Sequence, residues 1–223
     1  LVWSGDIVST FECFRRQVQA GLNMAIAGIP WWTTDIGGFH GARTDDPDFH
    51  RLYIRWFEYG CFCPVMRLHG NRNPQEGYGA EQIGSGSDNE IWSFGDKAYE
   101  ISKKYIFLRE RLRDYIRTQM KKAHEDGTPM MRPVFYDFPT DQESWNVEDA
   151  YLFGPDLYVA PVMEDHVTER EVYLPDGTAW FNAWTGEKYE GGQNVTVAAP
   201  LDTIPVFVKE GADAEKLLNI FSE

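Results

Sequence analysis

The chain has 223 residues, 43% of them hydrophobic and 15% aromatic, with 21 Lys and Arg against 35 Asp and Glu for a formal net charge of −14. Such an acid excess argues against a nucleic-acid partner, because phosphate contacts need surplus Lys and Arg, and the apolar content excludes intrinsic disorder and supplies a core for one or two domains. No run approaches the roughly 18–20 apolar residues of a membrane-spanning helix and no signal-peptide pattern opens the chain, so no membrane partner is expected.

Leu1-Val2-Trp3 reads as the end of a strand leading directly into Ser4-Gly5-Asp6, and a chain that opens in mid-strand is expected to be a piece of a longer one. From Ser9 to Ala27, Phe11, Phe14, Val18, Leu22 and Ile26 recur at spacings of three and four, predicting an amphipathic helix capped by Ser9-Thr10. Behind Gly28, the run to Trp32 predicts a buried strand ending in the polar turn Thr33-Thr34-Asp35, followed by a loop from Phe39 to Phe49. A second helix is expected over Asp48–Phe62. Cys63-Pro64-Val65-Met66 then starts another buried strand, which ends at Arg67-Leu68-His69-Gly70. Cys13, Cys61 and Cys63 lack zinc-site spacing and read as buried thiols, a usage that suits a reducing, cytoplasmic compartment. The match of Asn194-Val195-Thr196 to a glycosylation acceptor has nothing else to support secretion.

Asn71 to Phe94 is a long Gly-, Ser-, Asn- and Asp-rich loop, a length that usually signals function or irregular packing. Ile101, Tyr105, Leu108, Leu112, Ile116, Met120 and Ala123 form one continuous helical stripe ended by Asp126-Gly127. Beyond Gly127 the pattern changes to short β-rich segments at Met131–Phe138, Ala150–Val162, Glu171–Leu174, Ala179–Asn182, Val195–Ala199 and Thr203–Lys209, broken by Gly, Pro and Asp turns. The fold expected is α/β over 1–128, with parallel strands joined by helices, followed by an all-β antiparallel sandwich over 129–223.

In parallel architectures the loops after strand C-termini carry the chemistry. Asp6, Asp35, and Arg67 with His69 would then share one rim with Trp3, Trp31, Trp32 and Phe39. Carboxylates that accept hydroxyl hydrogen bonds beside aromatic faces suit a sugar, and glycosidic cleavage needs two carboxyl groups.

The segments Trp3-Ser4-Gly5-Asp6, Trp32-Thr33-Thr34-Asp35-Ile36-Gly37-Gly38-Phe39 and Met66-Arg67-Leu68-His69-Gly70, in this order, resemble the second half of the catalytic barrel of glycoside hydrolase family 31. Pro129–Pro133 and Phe153–Val162 resemble the start of the β-sandwich domain that follows it, so nearly the whole chain is covered. The resemblance implies the C-terminal part of a (β/α)8 TIM barrel plus the sandwich, and the activity of a retaining exo-acting α-glycosidase on terminal xylosyl or glucosyl residues, slightly favouring xylosyl. Asp6 would be the general acid/base and Trp3 a lining of the sugar subsite. Asp35 and His69 would bond sugar hydroxyls, Phe39 would form an apolar wall and Arg67 would orient its neighbours. No metal and no organic cofactor is implied. The family's nucleophile motif does not occur in residues 1–223, so the chain alone is expected to be inactive and to have the rest of its barrel as its partner, with a homo-oligomer left open.

Each residue also has a plainer role. Asp6 and Asp35 could be cap or turn residues and His69 a structural histidine. Trp31 and Trp32 would point to opposite faces of a strand, and Trp32 is preferred for the pocket. Asp156 reads as a turn residue, the Glu143–Asp149 region as a solvated face, and Trp180 and Trp184 as sandwich packing. The competing functional readings are a non-catalytic carbohydrate-binding module and a purely structural element.

Overall fold

The computed structural model describes residues 1–74 and 86–222, so part of the expected Asn71–Phe94 loop lies outside the described residues. Strand β1 (Val2–Trp3) pairs in parallel with β2 (Trp32–Thr33), matching Val2 to Trp32 and Trp3 to Thr33. Helix α1 (Phe11–Ile26) makes the crossover between them. It starts where the Thr10 hydroxyl accepts a hydrogen bond from the Cys13 amide at 3.1 Å, and it buries Phe14, Val18, Leu22 and Ala25 as one stripe.

Helix α2 (Pro47–Cys61) is capped by Asp46, with Pro at its first position. Every residue from Leu52 to Cys61 is buried, including Arg55 and Glu58. The expected third strand at Cys63–Met66 does not form a continuous ladder. Val65 donates to the Trp32 carbonyl at 3.2 Å and Ile36 donates to the Arg67 carbonyl at 3.3 Å, while Pro64 has no N–H to contribute. The segment therefore runs beside β2 on two bonds only. The expected long helix is two, α3 (Gly95–Arg111) and α4 (Arg113–Glu125), joined at Leu112. Leu112 still donates to Leu108 and accepts from Ile116, so the apolar stripe passes through the bend.

The second half is antiparallel. Strands β3 (Met131–Arg132), β4 (Tyr151–Phe153), β5 (Leu157–Val159), β7 (Ala179–Asn182), β8 (Lys188–Glu190) and β10 (Val206–Lys209) form a sheet ordered β3-β4-β5-β10-β7-β8. Strands β6 (Glu169–Leu174) and β9 (Gln193–Ala198) pair separately. Val172, Leu174 and Val197 of this pair pack with Leu152, Tyr158, Trp180 and Phe207 of the larger sheet, closing a two-layer core. Trp180 thus packs the sandwich as expected.

Three expectations here need correction. The segment Met131–Phe138 is strand for two residues and then a short helix, α5 (Val134–Asp137), because Pro133 has no N–H to extend the ladder. Residues 129–223 are not all β: α6 (Ala214–Ser222) closes the chain, burying Leu217 and Phe221. Cys13 is only half-buried, whereas Cys61 and Cys63 are buried and their thiols are pushed up to about 12 by desolvation.

The opposite face of the six-stranded sheet, with Tyr151, Phe153, Leu157, Val159, Val206 and Val208, shares one core with α1, α2 and α3. Polar straps cross the same junction. The Tyr151 hydroxyl donates to the Phe62 carbonyl at 2.9 Å, and the Tyr105 hydroxyl donates to the Asp202 carbonyl at 3.1 Å. Arg55 donates to the carbonyls of Val167, Ala199, Pro200 and Thr203. The sheet braces the helices from behind, away from the C-terminal ends of β1 and β2.

Candidate active site

Three segments meet where β1, β2 and the extended Val65–Arg67 segment end. The Asp35 amide donates to Ser4 Oγ at 3.4 Å, and the Ile7 carbonyl accepts from the amides of Phe39 (2.7 Å) and His40 (2.9 Å). The Phe39 carbonyl accepts from the Asn71 amide at 2.8 Å. The loop after β1 is thereby zipped to the loop after β2, and that loop to the residues following His69.

Gly38 makes the zip possible. Its φ of +77° is left-handed backbone that favours glycine, and a Cβ there would lie 2.8 Å from the Ser9 backbone. The Gly38 amide closes the turn onto the Asp35 carbonyl at 2.8 Å.

Asp35 is the fixed point of the cluster. It is fully buried, yet neither carboxylate oxygen accepts a hydrogen bond among the described residues. Arg67 Nη1 lies 3.0 Å from Oδ1 in ion-pair contact, off the direction of a hydrogen bond. Burial pushes the Asp35 carboxyl above its ordinary value, opposed by the charges of Arg67, His69 and Arg72 and reinforced by that of Asp6. All four groups therefore act on one carboxylate.

The remaining expected residues fall around it. The Arg67 guanidinium lies 5.8 Å from the centre of the Trp3 ring, which is 52% exposed. The Phe39 ring lies 5.4 Å from the His69 imidazole, and His69 and Asp6 are open to solvent. The structure thus brings together Trp3, Asp6, Asp35, Phe39, Arg67 and His69: an exposed carboxylate, a buried one, a guanidinium, an imidazole and two aromatic faces. A sugar ring has hydroxyls for the first four and C–H faces for the last two.

Trp32 does not join them. It is buried beneath α1, and a Cβ on Gly21 would meet its indole Nε1 at 2.6 Å, so the helix side of the strand holds it. The preference for Trp32 over Trp31 fails because the crossover helix, rather than the alternation, decides which face is which; Trp31 is half-buried. Asp156 occupies the turn between β4 and β5, where its amide donates to the Tyr115 hydroxyl. One participant escaped the sequence reading entirely. Arg72 is fully buried under the Asp35–Gly38 turn and donates to the Ile36 and Gly38 carbonyls at 3.0 and 2.7 Å. No local pattern singles out an arginine whose partners are distant backbone oxygens. Among the described residues no cluster of His, Cys, Asp and Glu could hold a metal ion.

Comparison with known proteins follows this geometry. Residues 1–119 match the TIM-barrel domain of glycosyl hydrolases family 31, and residues 127–212 match the C-terminal domain of the same family. An α-xylosidase of Saccharolobus solfataricus is 39% identical over 210 residues, 94% of this chain and 27% of that protein. The α-glucosidase 2 of Bacillus thermoamyloliquefaciens is 35% identical over 215 residues, 95% of this chain and 24% of that protein. The crystal structure of an α-xylosidase from a soil metagenome complexed with xylose superposes with a TM-score of 0.93 at 53% identity, covering 98% of this chain and 33% of that one. A xylosidase from Aspergillus niger gives 0.88 at 36% identity, with 100% and 33% covered. The chain spans about a quarter of the length of these two curated relatives.

Proposed function

This chain belongs to glycosyl hydrolase family 31, and from that premise we propose that it forms the acid/base and sugar-holding side of a retaining, exo-acting α-glycosidase, with the nucleophile supplied from outside residues 1–223. The observation that carries the reading is the Asp35 carboxylate: buried, charge-paired with Arg67, and with no hydrogen bond accepted at either oxygen among the described residues. Buried polar atoms are nearly always bonded, so two unpartnered carboxylate oxygens at a strand end support a hydroxyl-bearing ligand there. Asp35 and His69 bond the hydroxyls of the terminal sugar, Trp3 and Phe39 cover its apolar faces, and Arg67 fixes the direction of Asp35.

Asp6 does the proton work. It sits on the exposed side of the cluster, where it protonates the leaving glycosidic oxygen and later deprotonates the incoming water, once a carboxylate outside this chain has formed the covalent glycosyl intermediate. A terminal xylosyl residue is the preferred substrate over glucosyl. The similarity to the soil-metagenome α-xylosidase at 53% identity supports that choice. Discrimination would rest on steric contact with the C6 hydroxymethyl group that xylose lacks.

The test is hydrolysis of aryl α-xylosides. The 223-residue chain alone is expected to give no turnover. The same chain placed in the soil-metagenome α-xylosidase, in exchange for the third it matches, is expected to restore it. In that chimera Asp6→Ala should cost about 100-fold or more with a poor leaving group, and much less with one that needs no protonation. Equal losses for both leaving groups would remove Asp6 from the acid role.

A further inference from the structure

We infer that Arg72 is a positioning residue for the sugar site: its guanidinium holds the Asp35–Gly38 turn from below and so sets the direction of the Asp35 carboxylate without touching the ligand. The consequence for sugar binding rests on the function proposed above, whereas the hold on Asp35 stands on geometry alone. The guanidinium lies in a slot made for it. A Cβ on Gly70 would fall 2.5 Å from Cζ, one on Gly37 would fall 3.2 Å from Nη2, and the Phe49 ring lies 4.8 Å away as a cation–π floor.

Every nitrogen of the fork is used. Nη2 donates to the Ile36 carbonyl at 3.0 Å, Nη1 to the Gly38 carbonyl at 2.7 Å and to Ser9 Oγ at 3.4 Å, and Nε to Asn89 Oδ1 at 2.8 Å. Ile36 and Gly38 flank the turn that follows Asp35, so their carbonyls fix the backbone from which the carboxylate projects. Ser9 belongs to the loop that carries Asp6, and Asn89 to the stretch that precedes α3. One side chain thereby ties three loops of the rim together, a role for which the planar, five-donor guanidinium is suited and an ammonium is not.

Charge adds to geometry. The groups that act on Asp35 are Arg67, His69 and Asp6 on the open side and Arg72 beneath the turn. Of the charges on Asp35, that of Arg67 acts most strongly and that of Arg72 adds the smallest share; Arg72 is buried, and burial pushes its guanidinium down to about 10. Its positive charge favours the ionised carboxylate, the form that accepts two hydroxyl hydrogen bonds.

The experiment uses the full chain, with the Asp35 carboxyl titration followed by carbon-13 NMR, xylose binding by NMR titration and folding by thermal melt, for the parent and for Arg72→Lys and Arg72→Met. The Arg72→Met variant is expected to raise the Asp35 midpoint, and Arg72→Lys to leave it near the parent value. Both should bind xylose about tenfold more weakly, since neither keeps the fork. If Arg72→Met does not fold, Asn89→Leu replaces it, and a smaller upward shift of the same midpoint is expected. An Asp35 midpoint unmoved in a folded Arg72→Met or Asn89→Leu chain, with unchanged xylose affinity, would reduce Arg72 to a structural fastener. No xylose binding by the parent, in the α-xylosidase chimera as well as in the isolated chain, would instead overturn the sugar-site reading.

Discussion

Arg67 lies 3.0 Å from the Asp35 carboxylate without forming a hydrogen bond to it, so among the described residues a fully buried charge is paired but not satisfied. Unpartnered buried acceptors cost about 1–3 kcal/mol each, and the buried Arg55–Glu58 pair leaves one as well, at Glu58 Oε1. Other buried polar atoms, Thr34 Oγ1 and Asn71 Oδ1 of the same rim among them, also lack a partner among the described residues, so Asp35 is one of a small group left unpaired there.

The first prediction concerns that carboxylate. Asp35 has a folded pKa raised above its unfolded value, so its contribution is fully present below about pH 4 and is lost as pH rises through the raised folded value. The Asp35→Asn variant should therefore melt at the same temperature as the parent or higher at pH 7, with a flatter pH dependence, while losing xylose binding. Thermal melts from pH 4 to 8 with a xylose titration check both halves.

A second carboxylate titrates inside the fold. Glu58 is completely buried beside Arg55 at 3.2 Å, and burial pushes it up to about 8 despite that charge. Its stabilising share is present below about pH 4.5 and disappears as pH rises through about 8. The Glu58→Gln variant should lose the corresponding slope in stability, a few kcal/mol at most at about 1.4 per pH unit. Urea titrations at pH 5, 7 and 9 measure it.

Arg55 joins the two halves of the chain through four carbonyls of the β half. The Arg55→Met variant strands those carbonyl oxygens and removes the charge nearest Glu58, so a loss of about 1–3 kcal/mol is expected. Urea unfolding should show it, and pairing it with Glu58→Gln should recover part of the loss.

The two tryptophans of the strand ends separate packing from recognition. The Trp32→Ala variant empties a buried site under α1 and should cost about 3–5 kcal/mol in chemical unfolding. The Trp3→Ala variant removes a half-exposed ring and should leave stability within about 0.5 kcal/mol while weakening xylose binding.

The helices were legible because spacing and caps agree: Thr10 caps α1 where expected, α2 starts one residue before the expected Asp48, and the stripe through Leu112 survives the bend between α3 and α4. Asp6, Asp35, Phe39, Arg67 and His69 could be named because a strand exit concentrates them in short motifs. Which of Trp31 and Trp32 faces inward could not be read, since alternation has a period but no phase until Gly21 of α1 packs on one side. The Cys63–Met66 strand was overestimated because Pro64 interrupts donation. Helix α6 had a readable stripe in Ala214, Leu217, Leu218 and Phe221 that passed unnoticed. Arg72 was out of reach, because its partners are carbonyls 34 and 36 residues away.

Convergence on one pyranose is tested most directly by titrating xylose into the labelled 223-residue chain and mapping the chemical-shift changes. Saturable changes are expected at Trp3, Asp35, Phe39, Arg67 and His69 together, absent in Asp35→Asn. Changes scattered over unrelated surfaces, or saturable binding that survives Asp35→Asn unaltered, would contradict a sugar site built on that carboxylate.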